Sequence, residues 1–313
     1  MAELIHALAG VFGLIVLGAV LRATAFVPAS FWPAVERFTY FLALPALLVH
    51  TLAGAPVDAI EPVRTAAAIV GPVSALALAL MLIALYRVTD PGAGALFTSG
   101  FQGAVRSNTY IGLALASALG GGQGAAVAAF GLAVLVPLVN VLSVISLSWF
   151  GAGGKASWRH AGGAIVRNPL VLACAAGMAV NSMPVGLPPA LDRFLEALGG
   201  AALPLGLAAV GAGLRVSGLA GRLAPGVGYS MLKLLGLPLL SLAVVVAMDL
   251  SVLAGTVVVL LAALPTSPSS YVLARQMGGD HAFMAALVTL QTLLAGVTLP
   301  VVLWLCHWVL GGG

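Results

Sequence analysis

Two of the long apolar stretches in this chain are interrupted near their middle by polar residues, and the interruptions lie about half a chain apart. The first reads Arg106-Ser107-Asn108-Thr109-Tyr110-Ile111-Gly112, the second Pro265-Thr266-Ser267-Pro268-Ser269-Ser270-Tyr271. Each sits inside a stretch long enough to cross a bilayer. Hydrocarbon offers no partner to a backbone N–H or C=O, so a helix broken at membrane depth must line protein or a water-filled cavity. Paired broken spans at equivalent places in two halves are the best pointer in a sequence to a transporter's binding site.

Composition agrees with a chain that lives in lipid. Of 313 residues, 61% are apolar and 7% charged, against roughly 25% charged in a soluble domain. The 39 glycines suit close helix packing, where small residues let backbones approach. The basic residues are scattered and no soluble module is visible, which argues against a nucleic-acid partner. Cys174 and Cys306 both fall in apolar segments and read as small hydrophobes, not as a disulfide or a metal site. At the N-terminus Glu3 stands where a signal peptide carries its positive region, and Arg22 follows the apolar run. A retained first helix is expected.

A span needs about 20 predominantly apolar residues. Ten segments qualify: 4–21, 34–52, 63–86, 92–119, 124–150, 169–181, 190–213, 225–248, 252–276 and 282–310, of which the sixth is short. Lys and Arg favour the cytoplasmic side. Odd-numbered connections hold nine of them (Arg22, Arg37, Arg87, Lys155, Arg159, Arg167, Arg215, Arg222, Arg275) and even-numbered ones two, Arg64 and Arg193. That asymmetry predicts cytoplasmic odd loops, both termini outside, and a multi-pass protein of the inner or plasma membrane.

The halves echo one another. Ala43-Leu44-Pro45 matches Ala202-Leu203-Pro204, Gly121-Gly122 matches Gly278-Gly279, and Pro137 matches Pro300, at offsets of 157 to 163 residues. With five spans in each half, the second repeat must be inverted relative to the first, as in many secondary transporters. The expected fold is all-α and polytopic, with ten transmembrane helices and broken crossing helices four and nine. The expected organisation is a first repeat over 1–150, a short basic cytoplasmic linker over 151–167, and a second repeat over 168–313.

The first break, Arg106 to Gly112, together with Phe41–Leu48, Arg167-Asn168-Pro169-Leu170, Ala201–Leu205, Gly211–Leu214, Ala263-Leu264-Pro265 and Thr298-Leu299-Pro300, makes the chain resemble the auxin efflux carrier family, especially its short bacterial members. The resemblance implies a scaffold of spans one, two, six and seven and a transport unit of the others, with the broken spans crossing at the site. It also implies export or exchange of organic anions, auxin in plants and malonate or related carboxylates in some bacterial members. The long cytoplasmic insert of many plant members is missing, and the second break differs in composition, which puts auxin itself in doubt.

Among candidate residues Arg106 comes first. It lies about 20 Å into its span at 1.5 Å per residue. A charge at that depth costs roughly 2.5–3.5 kcal/mol, so it marks a pathway or a partner. Its guanidinium suits a carboxylate ligand; capping of carbonyls freed at the break is the other role, and both can hold at once. Asn108 can donate and accept, and with Thr109 and Tyr110 it precedes a half-helix expected to begin near Gly112, whose positive end would face an anion. In the second break Pro265 and Pro268 each remove a donor, and Ser267, Ser269 and Ser270 can repair the backbone or hold substrate. Pro45 and Pro204 are expected to kink scaffold helices. Asn140 and Gln291 are second-rank candidates for which interhelical hydrogen bonding is favoured. Lys233 is expected to snorkel, and Asp58, Glu61 and Asp249 to face solvent.

The expected function is a secondary carrier of a small organic anion, with the anion and the bilayer as partners, a homodimer left open, and no cofactor or metal. The alternatives are a sodium-coupled anion symporter of the bile-acid type, a channel, or an intramembrane enzyme. A sodium site wants several oxygen ligands including carboxylates, and none is seen at membrane depth. The catalytic motifs that an enzyme would need are missing as well.

Overall fold

The computed structural model describes residues 2–55, 60–151, 168–184, 186–215 and 221–311. Asp58 and all but Gly151 of the expected 151–167 linker lie outside them. The described residues form helices and no strand. In chain order these are α1 (Ala2–Ala23), α2 (Phe31–Phe38), α3 (Leu44–Ala53), α4 (Pro62–Arg87), α5 (Pro91–Val105), α6 (Thr109–Phe150), α7 (Pro169–Asn181), α8 (Pro189–Gly200), α9 (Ala202–Gly213), α10 (Leu223–Met231), α11 (Leu237–Ala247), α12 (Val252–Ala263), α13 (Ser269–Gln276) and α14 (His281–Leu310). Six helical stretches among the described residues are long and apolar enough to span a membrane: His6–Ala23, Pro62–Arg87, Pro91–Phe150, Pro189–Gly213, Leu223–Ala247 and His281–Leu310. The protein is a multi-pass helical membrane protein, because in lipid only a helix or a closed barrel satisfies its own backbone.

Helix starts follow local chemistry. Asp90, Ser251 and Asp280 accept from the N–H groups of Ala93, Ala254 and Phe283 at 2.9, 3.4 and 3.0 Å, and Asn168 accepts from Leu170 at 2.9 Å. Each satisfies an orphan donor of the first turn, and Pro91 and Pro169 supply the preset φ of that turn. Proline also shapes the interiors. A π-turn at Thr39–Ala43 joins α2 to α3 just before Pro45, and another at Leu232–Gly236 joins α10 to α11 just before Pro238. The wider turn absorbs the clash of a proline ring with the carbonyl four residues back. Pro204 sits in the first turn of α9, where a missing N–H costs nothing. Inside α6, Gly120 and Gly121 leave helical geometry, Gly121 with φ of 55°; Gly278, ahead of α14, has φ of 76°. These are the paired glycines read from the sequence, and both occupy a conformation that favours glycine.

The chain sorts into two compact units. One contains Met1–Pro62, Thr109–Ala133 and Val166–Gly213, the other Val63–Asn108, Val134–Ile165 and Leu214–Gly313. In the first, small residues bring α1 against α9: a Cβ at Gly18 would collide with the backbone of Ala208, and one at Gly211 with that of Ile15. Asn181 at the end of α7 donates to the carbonyls of Leu52, Ala53 and Ala55 at 3.0, 3.0 and 2.7 Å, satisfying the C-terminus of α3. In the second unit Phe283, Met284, Leu287 and Ala274 form a buried cluster with Tyr229 and Tyr271 packed on it. Gly103 and Gly100 of α5 admit the side chains of Leu287 and Tyr229 respectively.

Candidate functional site

Both helix breaks meet within the second unit. The second break is written locally: Leu264 turns extended (φ −64°, ψ 145°) because the proline that follows disfavours the helical region. Pro268 then starts α13 (φ −55°, ψ −28°). The first break has no proline. α5 ends at Val105, Arg106 turns extended (φ −81°, ψ 153°), and distant residues hold the gap open. The N–H of Asn108 donates to the carbonyl of Pro265 at 2.9 Å, so one break supplies the partner of the other.

Arg106 is 7% exposed. Its Nη1 donates to Asn140 Oδ1 at 2.8 Å and its Nη2 to Ser269 Oγ at 3.0 Å. Ser269 is the first residue of α13, so the guanidinium sits at the positive end of a helix dipole. Gln291, fully buried, accepts from the Thr266 N–H at 2.9 Å and donates to the Gly103 carbonyl at 3.0 Å, fastening the second break to the last turn of α5. Hydroxyls complete the repair: Thr266 with Ser270 at 3.3 Å, Ser267 with Ser269 at 3.0 Å, and the Ser270 N–H to the Ser267 carbonyl at 3.0 Å. Thus Arg106, Asn108, Asn140, Pro265, Ser267, Pro268, Ser269, Ser270 and Gln291 come together.

Other candidates go elsewhere. Thr109 and Tyr110 begin α6 and belong to the first unit. The Tyr110 hydroxyl lies 3.1 Å from Thr39 Oγ1, and its ring fills the space that a Cβ on Gly206 would need. Gly112 falls within the first turns of α6, which starts at Thr109 rather than near Gly112. Pro45 and Pro204 are in the first unit.

Lys233 corrects an expectation. Instead of snorkelling it is fully buried, and its Nζ donates to Ser107 Oγ at 2.8 Å. Ser107 Oγ donates in turn to the Leu261 carbonyl at 2.8 Å. The signal was in the sequence: ten residues of helix, about 15 Å, separate Lys233 from the expected membrane surface, further than a four-carbon stem reaches. The cavity beside Ser107, bounded by Ile69, Val73, Leu237, Ser241 and Leu261, holds about 10 Å³, too little for an organic anion. A larger one of about 570 Å³ lies in the first unit, where His50 Nδ1 is 2.8 Å from Asp192 Oδ1 and Thr51, Ser117 and Gln123 add polar walls. Among the described residues no cluster of His, Cys, Asp or Glu could hold a metal.

A multi-pass helical protein with two broken helices fastened to each other, one cation at the N-terminus of a half-helix and another beside two half-helix C-termini, has the makings of a membrane transporter rather than an enzyme. The comparisons agree. A family model described as "Membrane transport protein" matches residues 156–303. The chain is also 28% identical over 321 residues to a protein of Rhizobium meliloti (strain 1021) described as "Putative malonate transporter", covering 97% of this chain and 96% of that one. Both matches agree with the resemblance read from the motifs, and they point to a membrane transporter.

Proposed function

We propose that the protein is a secondary carrier of a small carboxylate, a dicarboxylate of malonate size, which binds at the crossing of the two breaks and moves by alternating access. The observation that carries this reading is the placement of the Arg106 guanidinium on Ser269, the first residue of α13. A guanidinium and a helix N-terminus repel each other. Their joint positive potential is offset when an anion lies against both, with the Arg fork matching a carboxylate. Asn108, fully buried beside the carbonyl of Pro265, is the second proposed ligand. Asn140 and Ser269 orient the guanidinium.

In this reading the chain has ten spans in two inverted repeats, with both termini outside. The positive-φ glycines Gly121 and Gly278, the paired breaks and the paired prolines Pro137 and Pro300 support the repeat. The two units support a division of labour in part: the first draws on spans one, two, six and seven and the second on three, eight, nine and ten, while spans four and five are divided, with Thr109–Ala133 in the first unit. A site this tightly filled needs a conformational change to admit its ligand, which suits a carrier better than a channel. Export of one negative charge gains about 2.3 kcal/mol per 100 mV, inside negative.

The test is flux of radiolabelled malonate into proteoliposomes of purified protein. Saturable uptake with counterflow, lost in Arg106→Gln at normal expression and thermal stability, is the expected result. Unitary currents, or wild-type flux in Arg106→Gln, would refute it.

A further inference from the structure

The second cation of the crossing has no part in the reading above. Lys233 lies in the π-turn Leu232–Gly236, a helix irregularity frequent at functional sites. It is fully buried, and among the described residues it forms no ion pair. What faces its ammonium is oxygen: Ser107 Oγ directly, and through that hydroxyl the carbonyl of Leu261. Leu261 stands in the last turn of α12 and Ser107 two residues past the end of α5. Both helix ends therefore bring their negative poles near this place, and the Leu261 carbonyl receives the Ser107 hydroxyl that Lys233 itself bonds.

Lys233 is not a second hand on the anion held by Arg106. Successive side chains of an extended segment point to opposite sides. Arg106 leaves toward Asn140 and Ser269, Ser107 toward Leu261 and Lys233. The site is thus divided: a cation meeting a half-helix N-terminus on one side, a cation meeting half-helix C-termini on the other.

Carriers built on broken helices hold their coupling cation at unwound carbonyls and half-helix C-termini. We propose that the Lys233 ammonium is a built-in replacement for such an ion, delivering through Ser107 the positive charge that the C-terminal ends of α5 and α12 require, so that anion transport by this chain needs no sodium. The proposal rests on the carrier reading given above. Lys233 is a positioning residue: it fixes the charge and the geometry of the first break and does not touch the substrate.

The experiment is malonate flux into proteoliposomes with sodium, potassium or choline as the only monovalent cation, together with thermal stability of each variant. Wild type is expected to run at one rate in all three. Lys233→Met is expected to lose at least about tenfold, the worth of one charge-assisted hydrogen bond. Lys233→Ala opens room beside Ser107 Oγ and the Leu261 carbonyl. It should lose as much in choline and regain several-fold in sodium or methylammonium, a recovery that a merely structural lysine would not give. Sodium-dependent wild-type flux overturns the proposal. So does unchanged flux in Lys233→Met, or a stable Lys233→Ala that no small cation revives. If neither variant folds, the cation dependence of the wild type still decides. Absence of any anion flux in the wild type sinks the carrier reading instead.

Discussion

The two helix breaks do the same job by opposite means. At the second, the local sequence sets the backbone: Pro265 ends α12, Pro268 begins α13, and Thr266, Ser267, Ser269 and Ser270 bond among themselves, while Gln291, Arg106 and Asn108 add bonds from outside. At the first, nothing local forbids a continuous helix. It is the tertiary structure that keeps Arg106, Ser107 and Asn108 out of helical geometry, through Asn140, Ser269, Leu261, Lys233 and Pro265. A break written by prolines is a fixed element. A break maintained by side-chain contacts can change when those contacts change, and this one holds Arg106 and receives Lys233 at Ser107. The contrast suggests that the first break responds to ligand while the second frames it.

The strongest attempt to break this contrast removes the cation. Arg106→Gln keeps a donor but no charge, and should lower malonate flux at subsaturating concentration about 10- to 100-fold, given roughly 1.5–3 kcal/mol for a hydrogen bond to a charged group. Ser269→Ala removes one contact of the guanidinium and should cost far less. Equal losses from the two would mean that the breaks are not unequal after all.

Next in size is Asn140→Asp. The carboxylate would stand where Asn140 Oδ1 now accepts from Arg106 at 2.8 Å, and would occupy the guanidinium as an internal anion. The expected result is a KM about tenfold higher, with folding stability unchanged or raised, since one unit of net charge is neutralised in a nearly dry place. KM and thermal stability measured on the same preparation check it. An unchanged KM would show that Arg106 does not meet the substrate.

Much of this was open to reading from the residues, and the exceptions have a physical pattern. Helix positions follow the apolar runs because bilayer thickness sets their length: Pro169–Asn181 was placed to the residue and α14 to within one. The second break was legible because proline acts on its own neighbours. Partners of the first break were not, since Asn140, Ser269 and Lys233 are 34, 163 and 126 residues from the groups they bond. Side-chain direction was equally hidden. A helix apolar on every side has no amphipathic stripe to say which face turns inward, so neither the burial of Lys233 against Ser107 nor the contact of the Tyr110 hydroxyl with Thr39 can be read from the residues.

Gln291 joins the two breaks, and its loss sharpens the contrast on stability rather than transport. Gln291→Ala would leave the Thr266 N–H and the Gly103 carbonyl without their present partner in a buried place. At about 1–3 kcal/mol for a stranded buried polar group, the melting temperature in detergent should fall by several degrees. Gln291→Glu keeps the acceptor for Thr266 and gives up the donor to Gly103, and should fall between. A larger loss in Gln291→Glu than in Gln291→Ala would mean that the added charge outweighs the saved hydrogen bond.

The smallest effect is expected at Ser267, and it tests the claim that the two prolines fix the backbone of the second break. Its hydroxyl meets Ser269 Oγ at 3.0 Å and accepts from the Ser269 N–H at 3.4 Å on a partly exposed surface, while its carbonyl, which the substitution keeps, receives the Ser270 N–H at 3.0 Å. Ser267→Ala therefore removes redundant bonds where Pro265 and Pro268 already fix the backbone. Its effect should stay within about 0.5 kcal/mol, as for substitutions away from special features, with flux near wild type. A Ser267→Ala protein that melts normally but loses transport several-fold would place the hydroxyl on the substrate. The second break would then be part of the ligand's shell and not only its frame.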